Sequence, residues 1–71
     1  METYKQRMIN EYNELKERTD KLCYMLDRWL MNDLDFVPSC SFHLLESQYH
    51  VMRAYLNILE QRAEIENIKL K

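Results

Sequence analysis

The chain has 71 residues, ten basic and twelve acidic, for a formal net charge of −2, with no glycine, one proline and two cysteines. That length admits one small domain, which buries only about 60% of its unfolded surface and is marginal alone. The lack of glycine excludes Gly-rich phosphate loops, I′ hairpin turns and most β architectures; the acidic balance argues against duplex nucleic acid; and no run of about 18 apolar residues is there to span a bilayer.

Thr3, followed three residues later by Gln6, fits a helix N-cap and capping box. From Met8 the residues Tyr12, Leu15, Thr19, Leu22, Leu26 and Trp29 follow in alternating steps of four and three. That spacing is the heptad pattern of one helix face. Ile9, Cys23 and Leu30 widen the stripe, and Gln6, Asn10, Asn13, Glu17, Asp20 and Asp27 occupy the opposite face. Glu14–Arg18 and Glu17–Lys21 are i,i+4 pairs in the favourable order, each contributing roughly 0.3–0.5 kcal/mol. The pattern predicts a helix over about residues 3–31.

Asn32 to Ser39 breaks the period with turn formers, and Pro38 pushes Val37 out of the helical region. This predicts a loop over about residues 32–40, with Leu34, Phe36 and Val37 folding back near Trp29 and Phe42. Ser39 or Ser41 then caps a second helix over about residues 41–69. Its last turns hold Lys69 and Lys71, cations suited to the negative helix end.

The second helix carries two apolar stripes. Leu45, Tyr49, Met52, Leu56, Leu59 and Ala63 form one, and Val51, Tyr55, Ile58 and Ile65 form another, rotated away. A single partner helix covers only one. The expected fold is all-α: one domain over residues 1–71, an antiparallel two-helix hairpin that assembles into a helical bundle as a homo-oligomer, a dimer or higher. Val51, Tyr55, Ile58 and Ile65 are the expected oligomer interface. Reflection about the loop centre places residue i roughly opposite residue 71 − i, to within about one helical turn. Leu15 then faces Leu56, Lys16 faces Tyr55, Leu22 faces Tyr49, and Arg7 approaches Ala63 and Glu64.

No catalytic residue, metal ligand or cofactor is expected. Cys23 and Cys40 are too few for a disulfide framework and read as free thiols. Cys40, His43 and His50 do not have the spacing of a closed zinc site. Cys23 lies on the apolar stripe, where a thiol is inert, and Cys40 beside His43 lacks an orienting third group.

Tyrosine and arginine are more informative. Tyr4, Lys5 and Arg7 crowd the first turns, and Gln48, Met52, Tyr55, Leu59 and Arg62 form a ridge along the second helix. Aromatic faces stack on bases, arginine grips phosphate bidentately and glutamine reads a base edge. Between copies of a hairpin these groups can line a pocket for a small anionic nucleotide. The competing account makes the tyrosines amphipathic interface residues, with Arg53 and Arg62 pairing with glutamates across a dimer.

The opening stretch from Tyr4 to Leu15, then Lys21-Leu22, together with Leu45, Gln48, Met52, Tyr55, Leu59 and Arg62, resembles a family of very small phage proteins first named from crAss-like phages. The segment Met25–Ser41 departs from that pattern. A tiny accessory phage protein is expected to counter host defence. The layout is also similar to that of helical-hairpin phage sponges, oligomers that capture cyclic nucleotide or ADP-ribose signals of bacterial immunity between protomers; this is a likeness of architecture.

The expected function is sequestration of a small nucleotide immune signal without cleavage. Lys5 and Arg7 would hold phosphate, Tyr4 or Tyr55 would stack on a base, and Gln48 and Arg62 would make polar contacts. The alternatives are a helical protein–protein interaction module or inhibitor of a host protein, and a structural coiled-coil piece. No apolar segment follows Met1-Glu2-Thr3 to make a signal peptide, so the expected location is the cytoplasm of the infected bacterial host, with no membrane and no duplex nucleic acid as partner.

Overall fold

The computed structural model describes residues 3–70. Two helices make up its regular structure, α1 (Tyr4–Leu30) and α2 (Phe42–Ile65), packed against each other as an antiparallel hairpin 42 Å long. Thr3 caps α1 by accepting from the Gln6 N–H at 3.0 Å. The Gln6 amide nitrogen in turn donates to Asn10 Oδ1 at 3.1 Å, one turn further along α1. Ser41, the second of the two candidate serines, caps α2 by accepting from the Leu44 N–H at 3.2 Å.

The four-three stripe of α1 is its inward face. Met8, Tyr12, Leu15, Thr19 and Leu26 are buried, and Leu22, Cys23 and Trp29 are half-buried. Leu30, expected to widen the stripe, is exposed. From α2, Leu56, Leu59 and Ala63 complete the core, with Met52 packed beside them. Thr19 is buried without cost in unmade hydrogen bonds, since its hydroxyl donates to the Leu15 carbonyl at 2.7 Å.

The core is concentrated at the end of the hairpin away from the loop, and the C-terminal tail is the reason. The expected helix to about residue 69 stops at Ile65. Asn67 takes φ 58°, its N–H reaches the Glu64 carbonyl, and the Ile68 N–H reaches the Ala63 carbonyl at 2.8 Å. This is a Schellman ending, which turns the chain back and pairs an apolar residue with the last helical turn. Ile68 is thereby buried in the core and Leu70 packs on it. Lys69 lies beyond the helix rather than in its last turn, and Lys71 lies outside the described residues.

α1 ends in the same way. Asn32 also takes φ 58°, donating to the Trp29 carbonyl, while the Asp33 N–H donates to the Arg28 carbonyl. The Arg28 guanidinium returns a hydrogen bond to the Asp33 carbonyl at 2.8 Å. Beyond it, Trp29 and Phe42 meet edge to face at 5.3 Å and close the loop end. Of the three loop residues expected to fold over this end, only Leu34 is half-buried; Phe36 and Val37 are exposed.

Two outcomes follow for stability. Leu59→Ala should cost about 2–5 kcal/mol, whereas Thr19→Val should change stability by no more than about 1 kcal/mol. Asn67→Val, which forces a β-branched residue into the left-handed region, should cost about 1–2 kcal/mol or more, and Asn67→Gly should be neutral or stabilising. Urea denaturation followed by circular dichroism checks all four.

Candidate functional site

Positions one residue before the core positions lie on the same side of both helices. An antiparallel pair makes this so: stepping back one residue rotates roughly 100° in opposite senses on the two rods, towards one common face. On α1 that face carries Tyr4, Arg7, Glu11, Glu14 and Arg18. On α2 it carries Leu44, Val51, Tyr55, Ile58 and Ile65, with Gln48 and Arg62 at the remaining heptad positions. All of these residues are exposed. Two cross-helix contacts confirm that the two rows adjoin. The Tyr55 hydroxyl donates to Glu11, and Arg62 donates to the Tyr4 hydroxyl.

Arg62, Tyr4 and Glu66 form a small cluster where α2 ends beside the start of α1. The Tyr4 hydroxyl also donates to Glu66 at 3.3 Å, and Arg62 Nε stands 3.8 Å from the same carboxylate. The bond to Tyr4 raises the basicity of the Arg62 guanidinium, with Glu66 and Tyr55 adding to it. Arg62 therefore stays charged at any physiological pH. The Arg62–Glu66 pair is long and open to solvent on the arginine side, hence weak, so an incoming phosphate can displace the carboxylate.

On the other side of the hairpin the Tyr12 hydroxyl donates to Glu60 at 2.7 Å, and that bond, together with burial, raises the tyrosine above its ordinary value. Tyr55 is raised chiefly by its bond to Glu11, and Tyr49 chiefly by its bond to Cys23. The Tyr49–Cys23 contact falls one residue from the expected Leu22–Tyr49 pairing. Tyr55, expected near Lys16, reaches Glu11 about a turn earlier.

The sequence-derived ligand set is thus partly assembled. Tyr4, Arg62 and Tyr55 share one face and its hydrogen bonds. Lys5 and Arg7 stand exposed in the first turns of α1. Gln48 is 14 residues before Arg62, about 21 Å along the helix, and its amide lies against the Met52 sulfur at 3.7 Å. The expected continuous ridge on α2 divides, because Leu59 and Met52 face the core while Gln48, Tyr55 and Arg62 do not. The described concavities lie elsewhere. A groove of about 550 Å³ runs along α1 between Tyr12 and Tyr24, and a second of about 480 Å³ lies beside Arg53 and Glu60. Among the described residues, no three His, Cys, Asp or Glu side chains cluster to hold a metal ion.

Sequence reasoning missed Glu11, Glu66 and Leu44. Leu44 was legible, since stepping back from Val51 by three and then four residues reaches it through Gln48. Glu11 and Glu66 carried no signal, because a carboxylate on an outward helix face looks the same whether or not a tyrosine crosses to meet it.

Two antiparallel amphipathic rods with a mixed apolar and polar face define a class, the small helical-hairpin proteins. Within it the chain belongs to the Sequestin family, whose family model matches residues 2–65 and so ends with the last residue of α2. No curated protein and no solved structure matches the chain. No helix among the described residues is long and apolar enough to cross a membrane.

The tyrosine–carboxylate bonds set an alkaline limit. A tyrosine whose pKa is higher in the fold than in the unfolded chain contributes stability that is complete below the unfolded value near 10 and is lost as pH rises through the folded value. Thermal stability should fall as pH rises past about 10, and Tyr12→Phe should flatten that fall. Melting curves recorded across this range test it; an equal fall in both proteins would remove Tyr12 as the cause.

Proposed function

We propose that the chain is a phage anti-defence protein that binds a small nucleotide immune signal, a cyclic oligonucleotide or an ADP-ribose derivative, and holds it without cleaving it. The observation that carries this reading is the Arg62–Tyr4–Glu66 cluster beside Tyr55 in a chain of the Sequestin family, a name that speaks of sequestration. Arg62 offers a forked donor to phosphate, and the rings of Tyr4 and Tyr55 offer stacking faces. Lys5 and Arg7 add positive charge at the same end of the hairpin. Capture of this kind works by stoichiometry and needs neither a general base nor a metal. The signal is made in the host cytoplasm, so that is where the protein acts.

A second reading is favoured by the row Leu44, Val51, Ile58 and Ile65, which is exposed and apolar. It is a helical interaction module that inhibits a host protein.

Ligand-induced stabilisation tests the first reading. A nucleotide at about 100 times its dissociation constant should stabilise the protein by about 2.7 kcal/mol. Arg62→Ala should weaken binding by roughly 10- to 100-fold, the worth of a hydrogen bond to a charged group, with the melting temperature of the free protein little changed. Equal shifts in parent and variant would exclude Arg62 from the site. A stoichiometric host protein retained from lysate, with no nucleotide effect, would favour the second reading.

A further inference from the structure

The exposed row of α2 reads the same in both directions. From Leu44 to Ile65 it runs apolar, polar, apolar, tyrosine, apolar, polar, apolar, centred on Tyr55. Lay a second copy of α2 antiparallel across it, with the two-fold axis through Tyr55. Leu44 then meets the partner's Ile65, Gln48 meets the partner's Arg62, and Val51 meets the partner's Ile58. A parallel pairing would instead set each residue against itself and bring two Arg62 guanidiniums together.

α1 supplies an independent check. The Tyr12–Glu60 hydrogen bond and the Trp29–Phe42 ring contact fix the register of the hairpin, and interpolation between them puts Lys16 level with Tyr55 and Leu56. The same two-fold axis therefore passes α1 at Lys16. On the common face, which Lys21, the residue before Leu22, continues past Arg18, that axis sets Glu14 against the partner's Arg18, and Glu11 against the partner's Lys21. Opposite charges meet at both pairings, each repeated by symmetry. Rotating the partner to the other dihedral arrangement would lay the apolar row of α2 on the charged row of α1. The angle also fits: the two seams of α2 lie roughly 100° apart, close to the right angle between neighbours in a four-helix bundle.

We infer that this face binds a second copy of the chain, α2 on α2 and α1 on α1, both antiparallel, in an isologous four-helix dimer centred on Tyr55 and Lys16. The dimer has a consequence for the site, which rests on the function proposed above. Gln48, about 21 Å from Arg62 within one chain, adjoins the partner's Arg62 across the interface. Each of two equivalent sites then joins Arg62 and Tyr4 of one copy to Gln48 of the partner subunit. One hairpin alone holds only half of either site.

A mixing experiment reads the register directly. Val51→Glu and Ile58→Lys should each, alone, weaken the dimer by at least about tenfold, because each buries an unpaired charge. Mixed in equal amounts, the two variants should form a heterodimer, since the new glutamate of one faces the new lysine of the other while the second Val51–Ile58 contact stays intact. Native mass spectrometry of the parent, each variant and the mixture gives the answer. A parent that remains a single chain at high micromolar concentration overturns the inference, as do variants that both stay dimeric, or a mixture that yields no heterodimer. A host protein seated on this face of a monomeric chain also overturns it.

The shared site has its own test, with ADP-ribose and cyclic di-AMP as probes. Gln48→Ala and Arg62→Ala should each lose binding, and their equal mixture, pairing at random, should recover one intact site per heterodimer, about a quarter of the parent capacity. No recovery in a mixture shown to be heterodimeric overturns the shared site. A parent dimer that binds neither probe removes the nucleotide reading and the shared site with it, while the heterodimer result still decides the interface.

Discussion

The packing of Leu56, Leu59 and Ala63 against Met8, Tyr12 and Leu15 governs the rest of the molecule. Burial of these side chains sets the rotation of each rod about its own axis. Once that rotation is set, every other position is assigned to a face. The row containing Tyr55 and Arg62 points outward on α2 because the row beside it points in, and Tyr4 and Glu11 arrive next to it because α1 is locked by the same contacts. This exposed face is thus a by-product of the core in the geometric sense: a shift of either helix by one residue would turn a different set of side chains towards solvent.

A chain without glycine must still end its helices, and here asparagine does so twice. Asn32 and Asn67 both take positive φ, where the short amide side chain is tolerated better than most. The two endings serve different purposes. At Asn32 the backbone turns into a loop held by reciprocal Arg28–Asp33 hydrogen bonds. At Asn67 it returns Ile68 to the core, which adds apolar burial to the end where the chain would otherwise fray. Small domains have little core to spare, so a single recovered isoleucine matters more here than in a larger protein.

Three of the polar contacts that join the helices share one chemistry. Tyr12 with Glu60, Tyr55 with Glu11 and Tyr4 with Glu66 are phenol–carboxylate bonds made at the margins of the apolar seam. A tyrosine covers apolar surface with its ring and keeps its hydroxyl at the wet edge, which suits a narrow two-helix interface. The same amphipathic character leaves Tyr55 and Tyr4 exposed, with Arg62 beside them.

What the amino-acid sequence determined alone is the helical periodicity and everything that depends on it: two long helices, a start signal at Thr3 and another at Ser39 or Ser41, the inward stripe, and a hairpin register correct to about a turn. These are local, because spacing along the chain and caps at its ends act over a few residues. The end of α2 escaped this reading, since Lys69 and Leu70 fit a helical pattern and only the gain from burying Ile68 shows why the chain turns at Asn67. The division of the ridge, with Met52 and Leu59 inward and Gln48, Tyr55 and Arg62 outward, likewise waited for the fold. Helical spacing says which residues share a face, but only contact with another helix says which face is covered. The pairings of Tyr4 with Arg62 and of Tyr55 with Glu11 join residues far apart in the chain, and only tertiary packing brings them together.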